Sequence, residues 1–212
     1  MKIPYPAETT VFVLLIAVCN LPLINPTALA LFPSALFDGE LWRWFTYPWA
    51  HLSLYHLGLD STAFLCLYNQ LNGSWRTRAS HLLCCIAAGG LLPILCDPRL
   101  DVIGLRGLSG VAHGLMVICA LESICSKPQE KTFGLLVLAG VGAKCMFEQI
   151  TGNVLFAAYH LGNVGFPVPS CHVGGAIGGE ISYFVVKLIK DKSAFGDVLR
   201  TKAFAHQASE IK

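Results

Sequence analysis

A serine hydroxyl within reach of an imidazole is the smallest unit able to carry out nucleophilic acyl transfer, because the ring takes the hydroxyl proton as the oxygen attacks a carbonyl. The chain offers Ser109 in Arg106-Gly107-Leu108-Ser109-Gly110-Val111-Ala112-His113-Gly114, and His172 in Cys171-His172-Val173-Gly174-Gly175-Ala176-Ile177-Gly178-Gly179. Ser109 stands where a polar loop gives way to an apolar segment of helical length. The first N–H groups of such a helix are unpaired and carry the positive end of its dipole, which favours an oxyanion forming beside the serine. Val111 occupies the place of the second glycine in the nucleophile elbow of soluble hydrolases, and no sheet accompanies it, so that fold is not implied. Taken alone, Gly-x-Ser-Gly also fits an N-cap serine on a small-residue packing face. His172, titrating near neutral pH, fits a general base or a histidine hydrogen-bonded across a helix bundle.

Other polar groups fall where an apolar helix should exclude them, which makes each a functional candidate. His56 and Asp60 are four apart and share one helical face. Together they could donate toward an oxyanion at Ser109, or Asp60 could orient the imidazole. A metal pair is the rival reading, but no His-Glu-x-x-His accompanies it, and neither metal nor cofactor is expected. His113, one turn beyond Ser109, is placed to brace His172. Gly110 and Gly114 are four apart, as are Gly175 and Gly179, a spacing that lets two membrane helices approach closely. Lys144 and Glu180 have no assigned partner, and Lys144 near a helix end fits snorkelling.

The elements that must position these groups are set by the composition: 54% of the residues are hydrophobic and 13% charged, against about 25% charged in a soluble domain. Spans of about 20 apolar residues are expected near 10–31, 51–71, 79–96, 107–124, 132–147 and 169–189. Asn20, Pro22 and Pro26 interrupt the first, and Thr27-Ala28-Leu29-Ala30 resembles a signal-peptidase site. Phe32 to Trp49 holds three of the four tryptophans and is expected to lie in the interface. The segment 151–169, broken by Gly and Pro, reads as a re-entrant or capping loop. His56, Ser109 and His172 then sit at similar depth near the outer ends of three helices. The nine cysteines contain no CxxC pair and read as packing residues rather than zinc ligands or disulfides. A net charge of +2 gives no reason to expect nucleic acid.

The motifs resemble those of the rhomboid intramembrane serine proteases over the second through sixth spans. Arg43-Trp44-Phe45-Thr46 followed by His51-Leu52-Ser53-Leu54-Tyr55-His56 is similar to the family's approach to its second helix. Gly107-Leu108-Ser109-Gly110 is similar to its nucleophile motif, and His172 with Gly175 and Gly179 to its histidine-glycine-glycine pattern. The resemblance implies an all-α membrane protein, a six-transmembrane-helix bundle over 1–190 with a cytoplasmic tail at 191–212. It implies Ser109 as nucleophile, His172 as general base, and an oxyanion hole drawing on His56, Asp60 and Ser109, with transmembrane-anchored proteins as substrates. Asp60 stands where the family usually has asparagine; it would need either a proton, to donate, or a turn toward His56. His113 stands where the family often has tyrosine. Gly-Leu-Ser-Gly-Val-Ala-His-Gly resembles the bacterial rhombosortase branch, associated with Gly-Gly-containing C-terminal tails of exported proteins and implying an inner-membrane location. A catalytically inactive client-binding relative and a small transporter are the competing classes.

Six spans put both termini on one side. With the termini inside, the inner face holds Lys2, Arg76, Arg78, Lys127, Lys131, Lys187, Lys190, Lys192, Arg200, Lys202 and Lys212, and the outer face holds Arg43, Arg99, Arg106 and Lys144. This bias predicts cytoplasmic termini. Reporter fusions after Arg78, Lys127 and Lys190 are expected to read cytoplasmic, and one after Arg99 external. An external reading at Lys190 would mean a miscounted span.

Overall fold

Local signals start most of the helices. Proline occupies the first turn, where its missing N–H costs nothing, in α1 (Pro6–Cys19), α2 (Pro26–Leu29), α3 (Pro33–Phe37), α9 (Pro128–Thr151) and α10 (Pro169–Glu210). Ser53 and Ser74 cap α5 (Leu54–Tyr68) and α6 (Trp75–Cys96) by accepting the N–H groups of His56 and Thr77. The remaining elements are α4 (Arg43–Thr46), a 3-10 turn at Tyr47–Trp49, α7 (Leu100–Ile103) and α8 (Ser109–Ile124). The structure, a computed structural model, describes residues 4–155 and 161–210, with 193–210 as backbone only. Among the described residues there is no strand, only an isolated bridge between Leu31 and Leu105.

Among the described residues, six helices have 14 residues or more. Of these, α6 and α9 are long and apolar enough to cross a bilayer, while α1 and α8 are apolar but shorter. The first expected span, 10–31, divides: α1 stops at Cys19, where Asn20 donates to Ile16 O and Trp49 O (both 2.7 Å), and Pro22 and Pro26 prevent its continuation. The fifth, expected to close at Phe147, runs on to Thr151 and stops at Gly152 in the left-handed region (φ 69°). The sixth, expected to end at Ile189, continues as helix to Glu210, since no proline follows Pro169 to stop it.

At the centre lies α8, packed by α5, α6, α9 and α10, with Val111, Leu115 and Ile118 buried. Its approach to α10 is backbone to backbone. A methyl group on Gly110 would stand 2.8 Å from Cys171 O, one on Gly179 would stand 2.9 Å from Gly114 Cα, and one on Gly175 would overlap Gly110 O. The adjoining face of α10 does the same against α6, with Gly174 on Ala88 O and Gly178 on Cys84 O. Leu136, Phe184 and Leu188 leave large apolar side chains on the outer surface, as lipid contact requires.

Two arms steady this bundle. Phe12 of α1 stacks on Trp49 and meets Phe64 and Tyr68 edge-on, while Glu8 pairs with Arg78 at the base of α6. The aromatic segment 32–49 forms only short turns, with Tyr47 and Trp49 buried and Trp42 and Phe45 exposed. Tyr47 donates to Ile86 O (2.8 Å) and accepts the Gly107 N–H (3.0 Å), so it holds the loop that delivers Ser109. Of the capping segment 151–169, residues 156–160 lie outside the described residues. Ser53 Oγ donates to Asn163 O at 2.5 Å and Arg99 donates to Pro167 O at 3.3 Å, which seats 163–167 across the start of α5 and the loop before α7. The nine cysteines are free; Cys85, Cys145 and Cys171 are buried packing residues, whereas Cys66, Cys96 and Cys125 face outward.

The glycine contacts give a stability test. Gly175→Val should overpack the α8–α10 seam at a cost of about 1–3 kcal/mol, lowering the thermal midpoint in detergent by roughly 4–10 °C. Gly142→Ala, inside α9 where an added methyl meets nothing within 4 Å, should not lower it, since alanine favours a helix interior over glycine. Equal midpoints for the two variants would refute the seam.

Candidate active site

Ser109 is the first residue of α8, and His172 lies in the first turn of α10. The turn into α8 depends on Gly107 at φ +104°, and a side chain there would also collide with Asp60 Oδ2 and the His56 ring. The glycine seam then brings Ser109 Oγ to 3.1 Å from His172 Nε2. His113, on the turn after Ser109, stacks on His172 with ring centroids 4.1 Å apart and planes 14° from parallel.

Two charged residues of α9 complete the group. Glu148, fully buried, accepts from His172 Nδ1 at 2.6 Å through Oε2. Its Oε1 accepts from Lys144 Nζ at 2.6 Å and from the Leu155 N–H at 2.9 Å. Lys144 Nζ also lies 2.9 Å from His113 Nε2, and His113 Nδ1 lies 2.7 Å from Ser109 O. Lys144 therefore turns inward rather than snorkelling, while Glu180 is exposed on α10, outside the cluster. His113, Glu148 and His172 are close enough to converge on one cation, and the Lys144 ammonium already bonds two of the three.

On the other side of Ser109, Asp60 Oδ2 accepts the Ser109 N–H at 3.1 Å and lies 3.2 Å from His56 Nε2 and 3.6 Å from His51 Nε2. Asp60 Oδ2 is thus an acceptor toward Ser109 and is turned toward His56. One carboxylate oxygen collects the two N–H groups, from Ser109 and His56, that an oxyanion beside Ser109 would use. His51 Nδ1 faces Trp49 O at 3.2 Å, and the rings of His51 and His56 meet edge to face.

The group opens into a cavity of about 1160 Å³, larger than the roughly 300–1,000 Å³ usual for a small ligand. Leu59 and Ala63 of α5, Met116 of α8, Val137 and Val141 of α9, and Phe166 line it. Its lining is mainly apolar, with His56, Asp60, Arg106, Lys144 and Asn163 among the polar residues that reach it.

Sequence reasoning missed Glu148 and His51. Glu148 fell just past the expected end of the fifth span, although Lys144 and Glu148 are four apart, a spacing that pairs charges on one helical face. His51 was quoted only as part of a motif, and the loop geometry that brings it to Asp60 leaves no periodic trace.

The Rhomboid domain family matches residues 38–189, from the segment before α4 to the middle of α10. The chain belongs to the rhomboid family. A search of curated proteins gave no match. Rhomboids are in general serine proteases that act within the bilayer on membrane-anchored proteins, and with its apolar helices this rhomboid is an integral membrane protein. Like charges brought together in a poorly solvated site repel strongly, so a carboxylate on the Ser109 N–H opposes an oxyanion there. Asp60→Asn in this rhomboid is expected to speed reaction of Ser109 with a fluorophosphonate by about tenfold. A tenfold fall instead would show that Asp60 acts through its charge on His56.

Proposed function

We propose that this chain is an intramembrane serine endopeptidase that cleaves membrane-anchored proteins, with Ser109 as nucleophile and His172 as general base. The observation that carries the reading is the 3.1 Å separation of Ser109 Oγ from His172 Nε2, in the lining of a largely apolar cavity to which α5 and α9 both contribute. His172 Nδ1 faces a carboxylate, which only accepts, so the proton sits on Nδ1 and the Nε2 lone pair is free for the serine proton.

The chemistry follows from that tautomer. A substrate helix unwinds at small residues and lays a carbonyl beside Ser109. Ser109 Oγ attacks, its proton passes to His172 Nε2, and the oxyanion turns to the Ser109 N–H and His56 Nε2 as Asp60 yields them. The C–N bond breaks as His172 returns the proton to the leaving amine. Water, deprotonated by His172, then hydrolyses the acyl-enzyme. Gly107-Leu108-Ser109-Gly110-Val111-Ala112-His113-Gly114 supports assignment to the rhombosortase branch, and with it Gly-Gly-containing C-terminal tails as substrates and a bacterial inner-membrane setting. Six crossings with cytoplasmic termini belong to the same proposal and rest on the charge bias. One observation favours a second reading, an inactive client-binding relative: Asp60 occupies the Ser109 N–H.

Purified protein incubated with a membrane-anchored Gly-Gly tail separates the two. Cleavage is expected for the wild type, and a loss of at least about 10³-fold for Ser109→Ala and for His172→Ala, with both variants folded by gel filtration. Wild-type turnover by either variant would sink the assignment. An intact tail together with no fluorophosphonate label on Ser109 would favour the inactive relative.

A further inference from the structure

We infer that the Ser109–His172 pair works as a triad, with Glu148 as the residue that positions His172 and Lys144 as the residue that holds Glu148. This rests on the protease reading above. Five residues from three helices form a closed ring of hydrogen bonds, and with Lys144 as an ammonium and His172 as a neutral imidazole its donors and acceptors can be assigned in only one way. The Ser109 carbonyl accepts, so His113 Nδ1 carries a proton and donates to it (2.7 Å). His113 Nε2 is then a lone pair, which accepts from the Lys144 ammonium at 2.9 Å. The same ammonium donates to Glu148 Oε1, which also takes the Leu155 N–H. Oε2 is left for His172 Nδ1–H at 2.6 Å, and His172 Nε2 closes the ring on Ser109 Oγ.

A plain staple between α9 and α10 would need the carboxylate to meet α10 anywhere. Glu148 meets the one ring whose other nitrogen faces Ser109, and meets it on the nitrogen that sets the tautomer. When His172 takes the serine proton, the growing imidazolium charge lies against a carboxylate already in place, so little must reorganise. Lys144 offsets that carboxylate in the resting state, when His172 is neutral, and so moderates the penalty of burying an unpaired charge. Among the described residues, the titratable groups facing His172 are Ser109 and His113 of α8, Lys144 and Glu148 of α9, and its neighbour Cys171. Glu148 is the only carboxylate among them. Through the Leu155 N–H, Glu148 also ties the histidine's orientation to a residue that lines the cavity.

The amide variant tests the proton assignment. In Glu148→Gln, Lys144 and the Leu155 N–H both donate to one side of the group and so select the amide oxygen there. The amide NH₂ is turned to His172 Nδ1, forcing the imidazole proton onto Nε2, where it cannot accept from Ser109. The matching Asp-to-Asn change in a serine protease triad costs about 10⁴-fold. The rate of Ser109 labelling by a fluorophosphonate, followed across pH, is expected to fall by at least about 10²-fold in Glu148→Gln. Glu148→Asp keeps the charge but withdraws it by one methylene, so its rate should lie between wild type and Gln, with the acid limb of the profile moved to lower pH as imidazolium loses support. An Asp variant that matches the wild-type rate and acid limb overturns the inference, even if Glu148→Gln fails to fold. A wild-type protein unlabelled at Ser109 would overturn the protease reading and this inference together; a labelled wild type with unaffected Glu148 variants would overturn this inference alone.

Discussion

The contact on which the rest of this structure depends is the backbone approach of α10 to α8. Gly175 and Gly179 lie on Gly110 and Gly114 with no room for a side chain between them. In a bilayer there is little hydrophobic gain from joining two apolar helices, so association relies on close packing and polar contacts. Glycine supplies the first of these directly. The seam also sets the depth and rotation of α10 relative to α8, and with them the separation of Ser109 and His172. The second glycine row, Gly174 and Gly178 on α6, pins α10 from another side and keeps it from rolling about the first.

The charged group beside the seam obeys a different constraint. Lys144 and Glu148 sit on a helix apolar enough to span a membrane, where an isolated charge is costly. The cost is limited because the charges are paired: both Glu148 oxygens are occupied, and the partly exposed ammonium meets both Glu148 and His113. Half-satisfied, such a network would be worse than an apolar core. Complete, it can hold an imidazole in one tautomer. The same demand for satisfaction explains Asp60, whose carboxylate takes the Ser109 N–H and faces two histidines.

Within the rhomboid family this chain departs from the common pattern at Asp60 and His113, and both departures are engaged at the site. Asp60 and His56 lie on one side of Ser109; His113, Lys144 and Glu148 lie on the other. The serine is therefore gripped by its backbone from both sides, through its N–H and its carbonyl, while its hydroxyl alone is directed at His172.

Much of this was legible along the chain, for physical reasons that act locally. Ser109 announces itself because a polar loop meets an apolar run there, and His172 because it opens a run of glycines. The glycine spacings report a helix seam without any structure, since a period of four is a property of one helix face. Glu148 was not legible, because its helix ends on the αL turn at Gly152, beyond where hydropathy alone stops the span. Lys144 looked like a snorkelling residue because the sequence states its charge and not the direction in which its side chain turns. The sequence by itself determined the helical, membrane-embedded character and singled out Ser109 and His172 as candidates, since these rest on composition, periodicity and nearest neighbours. Only the tertiary structure decided which residues share a proton: the partners of His172 come from positions 109 and 148, and hydrogen bonds over such separations depend on how helices pack rather than on anything a single segment can encode.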